Sequence, residues 1–288
     1  MKYKLLFFFL IGLWGCKDQP EQIPAYLHIK PFEVDAQGDA SWHKITEGWL
    51  YVNGEYLGAY SLPALVPVLA EGQSEVIVFP GVKENGILST PNIYPLLKRW
   101  ESKTVALVAG QTTDIQPATT YETGTIYPFG FGRGDFDGGS SIVFENRDDD
   151  EFTSYSLDTD GAFAGKSILM QMDTAHPLIE IASEQVTGLP TSGSPEVWLE
   201  LHYQCDMTLF LFLLYSDANG SEAPQAVIGI NPSASWNKIY INLTNALTFS
   251  QADTYRLFFR APLPKDNMGN FSQLNGTVRI DNIRLLHL

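Results

Sequence analysis

Near the C-terminus of this chain stands the stretch Val278-Arg279-Ile280-Asp281-Asn282-Ile283-Arg284-Leu285. Apolar residues recur along it in the manner of a half-buried β-strand. Further short runs of the same kind precede it, separated by turns rich in Gly, Pro, Asn, Asp and Ser. Together with a last strand at 277–286, we place strands at residues 141–145, 166–172, 178–183, 197–204, 208–216, 226–230, 238–243 and 254–260. This spacing, without a long helical period, predicts an all-β fold of the sandwich type.

Three segments in this half of the chain resemble the closing strands of galactose-binding-like jelly rolls. They are residues 236–243, 255–260 and 278–285, and an Ile-Asp-Asn-Ile strand is frequent at the end of that superfamily. The resemblance implies a jelly-roll β-sandwich over residues 140–288, in a superfamily that includes many carbohydrate-binding modules. It does not imply a ligand, because this fold hosts glycan binders, protein binders and structural modules alike.

A second β-sandwich is predicted over residues 25–120. Asn53-Gly54 separates two apolar runs and supplies the two positive-φ positions of a type I′ hairpin turn. We expect a strand at 75–79 closed by Pro80-Gly81, and another hairpin that joins 104–108 to 112–116. The run 51–58 resembles the PEGA-type small Ig-like sandwich, although the insert 80–100 is longer than such modules carry. Within that insert, residues 92–100 form either a helical turn or an irregular excursion.

The N-terminus predicts export. Residues 1–15 carry Lys2, Lys4 and an apolar run from 5 to 14, which is the layout of a signal peptide. Leu13-Trp14-Gly15-Cys16 resembles the lipobox of bacterial lipoproteins, which implies that Cys16 is lipidated and that 16–24 is a tether. Lys17-Asp18 resembles the export tag of Bacteroidota surface lipoproteins. We therefore expect a protein held in the outer membrane by acyl chains on Cys16 and facing the cell exterior.

The charge of the chain excludes one class of partner. Its 18 basic and 33 acidic residues give a formal net charge of −15. Nucleic-acid binding needs clustered Lys and Arg to neutralise phosphates, so no nucleic acid is expected as a partner. Binding to anionic lipid through a polybasic segment is also excluded, because acidic residues outnumber basic ones.

Catalytic motifs are missing from the sequence. The chain has no Gly-x-Ser-x-Gly elbow and no His-Glu-x-x-His zinc motif, and its histidines are scattered at positions 28, 43, 176, 202 and 287. We therefore expect a non-enzymatic protein.

Two acidic loops, 148–151 and 158–161, are rich in the oxygen ligands that Ca²⁺ prefers. Related carbohydrate-binding modules often hold a structural Ca²⁺ with acids near the first strand and one on the last. The resemblance implies a calcium site made of Glu145, Asp158, Asp160 and Asp281. The alternative is that both loops are simply solvated.

Two further features fall outside the predicted strands. Residues 121–139 form a Gly-rich linker with an aromatic cluster, Tyr127, Phe129 and Phe131, that is either a docking surface or the seal between the two sandwiches. Asp173-Thr174-Ala175 resembles the O-glycosylation acceptor of Bacteroidota, which implies a sugar on Thr174.

Two functions compete at this point. The first is an interaction subunit that docks onto an outer-membrane barrel or envelope complex. The second is a glycan-binding lipoprotein of a polysaccharide-uptake system. We rank the first ahead, because the linker carries a plausible docking cluster while the jelly-roll loops show no aromatic platform.

Overall fold

The computed structural model describes residues 21–35, 42–193, 195–216 and 220–288. Across these residues the chain is built of strands with one short helix, α1, at Thr244–Ser250. No helix in the described part is long and apolar enough to cross a membrane. The prediction of an all-β chain made of sandwiches is confirmed. Cys16, Lys17 and Asp18, which carry the lipidation and export predictions, lie outside the described residues.

The N-terminal sandwich contains the first ten strands. They are β1 (Ala25–Ile29), β2 (Glu33–Val34), β3 (Glu47–Val52), β4 (Glu55–Ser61), β5 (Ala64–Val68), β6 (Gly72–Lys83), β7 (Pro91–Ile93), β8 (Trp100–Leu107), β9 (Thr112–Ile115) and β10 (Ala118–Thr119). One sheet has the order β5-β1-β9, another the order β4-β3-β6-β7 with β8 also paired to β6, and β10 pairs with β2. Alternate residues of these strands, among them Leu27, Ile29, Leu50, Val66 and Val78, are fully buried in one core.

The structure confirms one of the two hairpins predicted in this sandwich and contradicts the other. Asn53 and Gly54 have φ of 50° and 83° and join β3 to β4, which confirms the predicted hairpin. The second predicted hairpin is wrong, because β8 pairs with β6 whereas β9 pairs with β1 in the other sheet. The turn at Gly110 carries the chain between sheets. Strand β6 also continues through Pro80-Gly81, where we expected it to end.

The jelly roll contains the remaining strands. They are β11 (Phe144–Asn146), β12 (Tyr155–Asp158), β13 (Ser167–Asp173), β14 (Leu178–Ser183), β15 (Val186–Thr187), β16 (Val197–Cys205), β17 (Leu209–Ser216), β18 (Glu222–Ile230), β19 (Ser233–Asn242), β20 (Thr254–Pro262) and β21 (Asn275–His287). One sheet, here called the open sheet, has the order β11-β14-β20-β17-β18, with β15 paired to β20. The other, called the covered sheet, has the order β12-β13-β21-β16-β19. Their inner faces share one large apolar core.

The two sandwiches meet on the outer face of the covered sheet. Val82, Tyr94 and Leu96 of the N-terminal sandwich pack with Trp198 and Tyr240 of the jelly roll in a separate buried cluster. Strand β16 is therefore buried on both faces, and eight of its nine residues are buried. We call this contact region the seam.

The insert between β6 and β8 supplies much of the seam. It forms the short strand β7 followed by an irregular turn, so the irregular alternative for residues 92–100 is the one that the structure shows. Residues 121–139, predicted as a linker, also pack tightly. Phe129 and Phe136 of this segment lie in the jelly-roll core, and Ile126 forms an isolated bridge with His287 of β21.

Candidate functional site in the seam

A cluster of charged and phenolic groups lies at the centre of the seam. The Glu200 side chain, on β16, is 0 % exposed, and the Lys238 Nζ donates to its Oε2 at 2.7 Å. Two hydroxyls from the N-terminal side, Tyr94 at 2.6 Å and Tyr121 at 2.9 Å, donate to its Oε1. The Arg284 Nη1 in turn donates to the Tyr121 hydroxyl at 3.2 Å. The only carboxylate of this cluster is thus bonded from both sandwiches.

These contacts set the charges in the seam. Burial alone raises the pKa of Glu200, but the positive charges of Lys238 and Arg284 outweigh it and hold that pKa at about 2. Burial lowers the pKa of Lys238 to about 8 and the pKa of His43 to about 4. Near neutral pH the cluster therefore contains one carboxylate, a neutral histidine and two cations.

A cavity of about 230 Å³, here called the seam cavity, opens beside the charged cluster. It is lined by Trp42, Tyr127, Phe129, Gly130, Phe131, Gly132, Gly134, Asp135, Asn282, Ile283, Arg284 and Leu285. One wall comes from strand β21 and the other from the segment 127–135 and Trp42. The site thus joins the end of the jelly roll to the N-terminal half of the chain.

Aromatic rings form the mouth of the seam cavity. The Tyr127 and Phe131 ring centroids are 5.1 Å apart with their planes at 83°, and the Phe131 side chain is 46 % exposed. The Arg284 guanidinium lies 5.5 Å from the Trp42 ring centroid and 5.8 Å from that of Phe131. This stacking fixes the cation at the back of the aromatic wall.

Asn282 places an unpartnered amide at the cavity. The residue is only 2 % exposed, and neither its Nδ2 nor its Oδ1 has a hydrogen-bond partner among the described residues. Its backbone has a φ of 49°, a conformation that asparagine tolerates better than most residues. Leaving a buried amide unpaired costs about 1–3 kcal/mol. The Asn282 amide is thus an unsatisfied donor and acceptor in a residue that lines the cavity.

The backbone around the cavity is held rigidly. The Gly134 carbonyl accepts a hydrogen bond from the Ile283 amide at 3.0 Å, and a Cβ at Gly134 would lie 1.9 Å from the Ile283 oxygen. Only glycine fits this close approach. Arg133 donates to the carbonyls of Phe129 and Ser141, both at 3.0 Å, which ties the loop to itself. The lining groups are therefore positioned before any ligand arrives.

The structure separates the members of the predicted aromatic cluster. Tyr127 and Phe131 line the mouth of the seam cavity, but Phe129 is 6 % exposed and packs in the jelly-roll core. Phe129 therefore does not belong to an exposed docking surface, because its ring is used to close the sandwich. The docking interpretation for Tyr127 and Phe131, and with it an outer-membrane barrel or envelope complex as partner, stays a prediction.

The residues predicted to bind calcium are divided between the two sheets. Glu145 lies on the open sheet and forms an ion pair with Arg256 at 3.0 Å, whereas Asp158 lies on the covered sheet with Arg279 at 3.1 Å. Asp160 is exposed in the turn that follows β12. In the described part of the chain no group of three or more His, Cys, Asp or Glu side chains is placed to hold a metal ion. The four positions do not fit one shared calcium site, and bound calcium stays a prediction.

Asp281 and Thr174 have other surroundings. The Ser167 hydroxyl donates to the buried Asp281 carboxylate at 2.7 Å, and burial raises the pKa of Asp281 to about 7. Thr174 is exposed in the turn after β13, where it is accessible. Its glycosylation stays a prediction.

Several residues of the seam cavity were not expected from the sequence: Trp42, Asp135, Asn282 and Arg284. One signal for them was present in the stretch 278–285. Asp281-Asn282 interrupts the apolar alternation with two adjacent polar residues, one of which must point toward a buried face. The opposite wall of the cavity, made of Trp42 and residues 127–135, could not be inferred, since it lies more than a hundred residues away from strand β21 in the chain.

Comparisons with known proteins add structural neighbours. No protein-family model and no curated protein matches the chain. Among solved structures, the chain is similar to the enzymatically active domain of tailspike protein 4 of bacteriophage CBA120, with 11 % identity and a TM-score of 0.40 over 62 % of this chain. This chain spans only 25 % of that domain's length.

Carbohydrate-binding modules are also among these neighbours. The CBM22-1 xylan-binding domain of Paenibacillus barcinonensis Xyn10C shows 9 % identity and a TM-score of 0.33, covering 57 % of this chain and 92 % of that one. The family 11 module of the cellulase Lic26A-Cel5E of Clostridium thermocellum shows 14 % identity and a TM-score of 0.36, covering 58 % and 96 %.

Proposed function

We propose that this protein binds carbohydrate without turning it over, and that the seam cavity holds one sugar unit of the ligand. The observation that carries the proposal is the union of an aromatic mouth with the buried, unpartnered amide of Asn282. The proposal favours the glycan-binding hypothesis over the interaction-subunit hypothesis that the sequence placed first.

The size of the cavity limits the ligand. At about 230 Å³ it is smaller than the ~300–1,000 Å³ of sites for drug-sized molecules. One ring at the end or on a branch of a glycan fits such a space better than a long chain laid along a groove. We therefore expect recognition of a terminal or branching sugar.

The lining residues match the two kinds of surface on a sugar. The rings of Trp42, Tyr127 and Phe131 offer apolar faces for the sugar C–H groups. The Asn282 amide can donate to one hydroxyl and accept from its neighbour, and the Asp135 carboxylate can accept from another. Aromatic walls with a few fixed polar groups are what sugar recognition requires.

The same lining argues against hydrolysis of the bound sugar. Glycosidases use a pair of carboxyl groups that flank the scissile bond. Asp135 is the one carboxylate among the residues that line the seam cavity. Binding rather than cleavage is therefore the chemistry that these groups support.

Binding to an oligosaccharide array, followed by calorimetry with the best ligand, tests the proposal. We expect Phe131→Ala to weaken binding at least fivefold. Asn282→Gly, which suits the positive φ but removes the amide, should weaken it at least tenfold. Phe249→Ala is the matched control, since Phe249 is an exposed phenylalanine on α1, outside the cavity. A glycan that binds all three variants equally well, or no glycan binding at all, would overturn the proposal.

We also propose that the protein is anchored in the outer membrane through acyl chains on Cys16, with the seam cavity facing the cell exterior, where it would serve a polysaccharide-uptake system. The support is the signal-like run that ends at Cys16. Metabolic labelling with an alkyne fatty acid tests the anchor. We expect Cys16→Ala to lose the label and Cys205→Ala to keep it, because Cys205 is the second cysteine of the chain and is buried. Label that remains on Cys16→Ala would refute lipidation at that residue.

A further inference from the structure

A second cavity opens on the other flank of the seam. It has a volume of about 140 Å³ and shares no lining residue with the seam cavity. Its polar lining is Lys44, Thr46, Lys83, Lys238, Asn237, Tyr203 and Tyr240. We call it the lysine cavity. Three lysines around one small space are unexpected in a chain with a net charge of −15.

Two of the three lysines have a carboxylate partner and one does not. Lys238 is paired with Glu200 at 2.7 Å, and Lys83 forms an ion pair with the buried Glu47. The Lys44 Nζ donates to the neutral Asn237 Oδ1 at 2.6 Å, and none of the ion pairs in the described part of the chain involves Lys44. The lining therefore keeps one positive charge that no carboxylate neutralises.

Hydroxyl donors surround this uncompensated charge. The Tyr203 hydroxyl accepts a hydrogen bond from the Asn237 Nδ2 at 2.9 Å, and the Tyr240 hydroxyl accepts one from the Lys44 backbone amide at 3.0 Å. Each hydroxyl used as an acceptor retains its own proton for donation. An ammonium and two O–H groups among the residues that line one small space are suited to the oxygens of an anion.

We propose that the lysine cavity is a binding site for an oxyanion, such as a sulfate group. It lies outside the site proposed for sugar recognition and rests on different residues. The same cationic and hydroxyl groups suit two kinds of ligand, a free inorganic anion and the acidic substituent of a glycan. Lys44 supplies the uncompensated charge, and Lys83 and Lys238 are held in place by their carboxylate partners.

Calorimetric titration of the purified protein with inorganic sulfate, at constant ionic strength in chloride, tests this site. We expect saturable binding that Lys44→Gln weakens at least fivefold. Lys103→Gln is the matched control, since Lys103 is an exposed lysine of β8 that does not line the cavity. Lack of saturable binding, or equal weakening in both variants, would overturn the proposal. Because Lys44 is exposed, its replacement should leave the fold intact.

Two further binding measurements identify the source of the anion and distinguish binding at this site from binding at the seam cavity. A sulfated disaccharide that binds at least tenfold more tightly than both inorganic sulfate and its desulfated form would assign the site to a glycan substituent. Equal affinity for sulfate and the sulfated disaccharide would assign it to a free anion. Phe131→Ala should leave sulfate binding unchanged, so sulfate binding that depends on Phe131 would overturn a separate site.

Discussion

The outer faces of the two jelly-roll sheets carry the same kinds of residues in opposite surroundings. On the covered sheet, the ion pair between Glu200 and Lys238 is buried under the N-terminal sandwich. On the open sheet, Arg256 pairs with Glu145 and Glu222, both at 3.0 Å, and the neighbouring Arg260 side chain is 46 % exposed. The jelly roll therefore contains one charge cluster that is buried and one that is partly exposed to solvent.

The difference lies in what replaces water around each charge. Solvent and dissolved ions screen exposed pairs, which contribute about 0–1 kcal/mol each. Buried charges have lost their hydration, so each depends on the hydrogen bonds and opposite charges that surround it. The seam supplies these partners from both sandwiches, with Tyr94 and Tyr121 on one side and Lys238 on the other. The interface between the sandwiches is therefore stabilised both by apolar packing and by electrostatic contacts.

The largest effect is expected from Glu200→Gln. The substitution leaves the buried Lys238 and the partly buried Arg284 without their carboxylate, and breaking a buried pair typically costs about 3–5 kcal/mol. The free energy of unfolding, measured by chemical denaturation, should fall by that amount.

Restoring charge balance in the seam separates electrostatics from packing. In the double variant Glu200→Gln with Lys238→Met, the buried ammonium is also removed, and we expect much of the lost stability to return. A double variant that is less stable than Glu200→Gln alone would show that the loss came from packing and not from the unpaired charge.

A smaller loss is expected from Tyr94→Phe. The Tyr94 hydroxyl donates to the Glu200 Oε1 at 2.6 Å, and hydrogen bonds to charged groups contribute about 1.5–3 kcal/mol. Denaturant unfolding of this variant should show a loss in that range. Tyr56→Phe is the matched control, because Tyr56 belongs to the same sandwich but is half-exposed. A Tyr94→Phe variant as stable as the control would contradict the assigned role of this bond.

Two features of this fold that local sequence determines were predicted correctly. The apolar residues of 178–183 predict a strand with these bounds, and the structure shows it as β14 (Leu178–Ser183). Asn53-Gly54 predicts a hairpin turn because few other residues accept two successive positive φ angles. In both cases the information lies within a few residues.

The errors arose where distant partners decide the structure. A glycine turn such as the one at Gly110 serves a hairpin and a sheet-to-sheet corner equally well, and only the partners of β8 and β9 distinguish them. The insert that carries Tyr94 could not be assigned to the seam, because its partners Trp198 and Tyr240 lie more than a hundred residues away. Glu200, which stands between Leu199 and Leu201 in β16, was a local sign that the outer face of this strand is covered.

The two environments should also give opposite pH dependences through a pair of histidines. Burial in the seam lowers the pKa of His43 to about 4 from its ordinary 6.5, so its contribution to stability is lost as pH falls through this window. The hydrogen bond from the solvent-accessible His176 to Asp150 raises the pKa of His176, so its contribution is present below 6.5 and is lost as pH rises.

Unfolding free energies at pH 7 and pH 5 test this contrast. Relative to the unmodified protein, His43→Gln should lose less stability on acidification, whereas His176→Gln should lose more, because it lacks the gain from protonation. Both changes should be modest, since solvent reaches His176 and part of His43. Shifts of the same sign in the two variants would contradict the contrast between buried and exposed sites.

The smallest effect is expected from Glu222→Gln on the open sheet. This residue pairs with Arg256 and Arg147, yet both arginines also have Glu145 as a partner, and the side chains of Arg147 and Glu145 are 34 % and 54 % exposed. We expect a loss of about 1 kcal/mol or less, which should shrink further in 1 M salt, where the Debye length is about 3 Å. The loss in Glu200→Gln should persist at the same salt concentration, because the Glu200 and Lys238 side chains are buried and salt screens buried pairs much less than exposed ones. If the Glu222→Gln loss equals that of Glu200→Gln and resists salt, then the open sheet is also covered in the working protein.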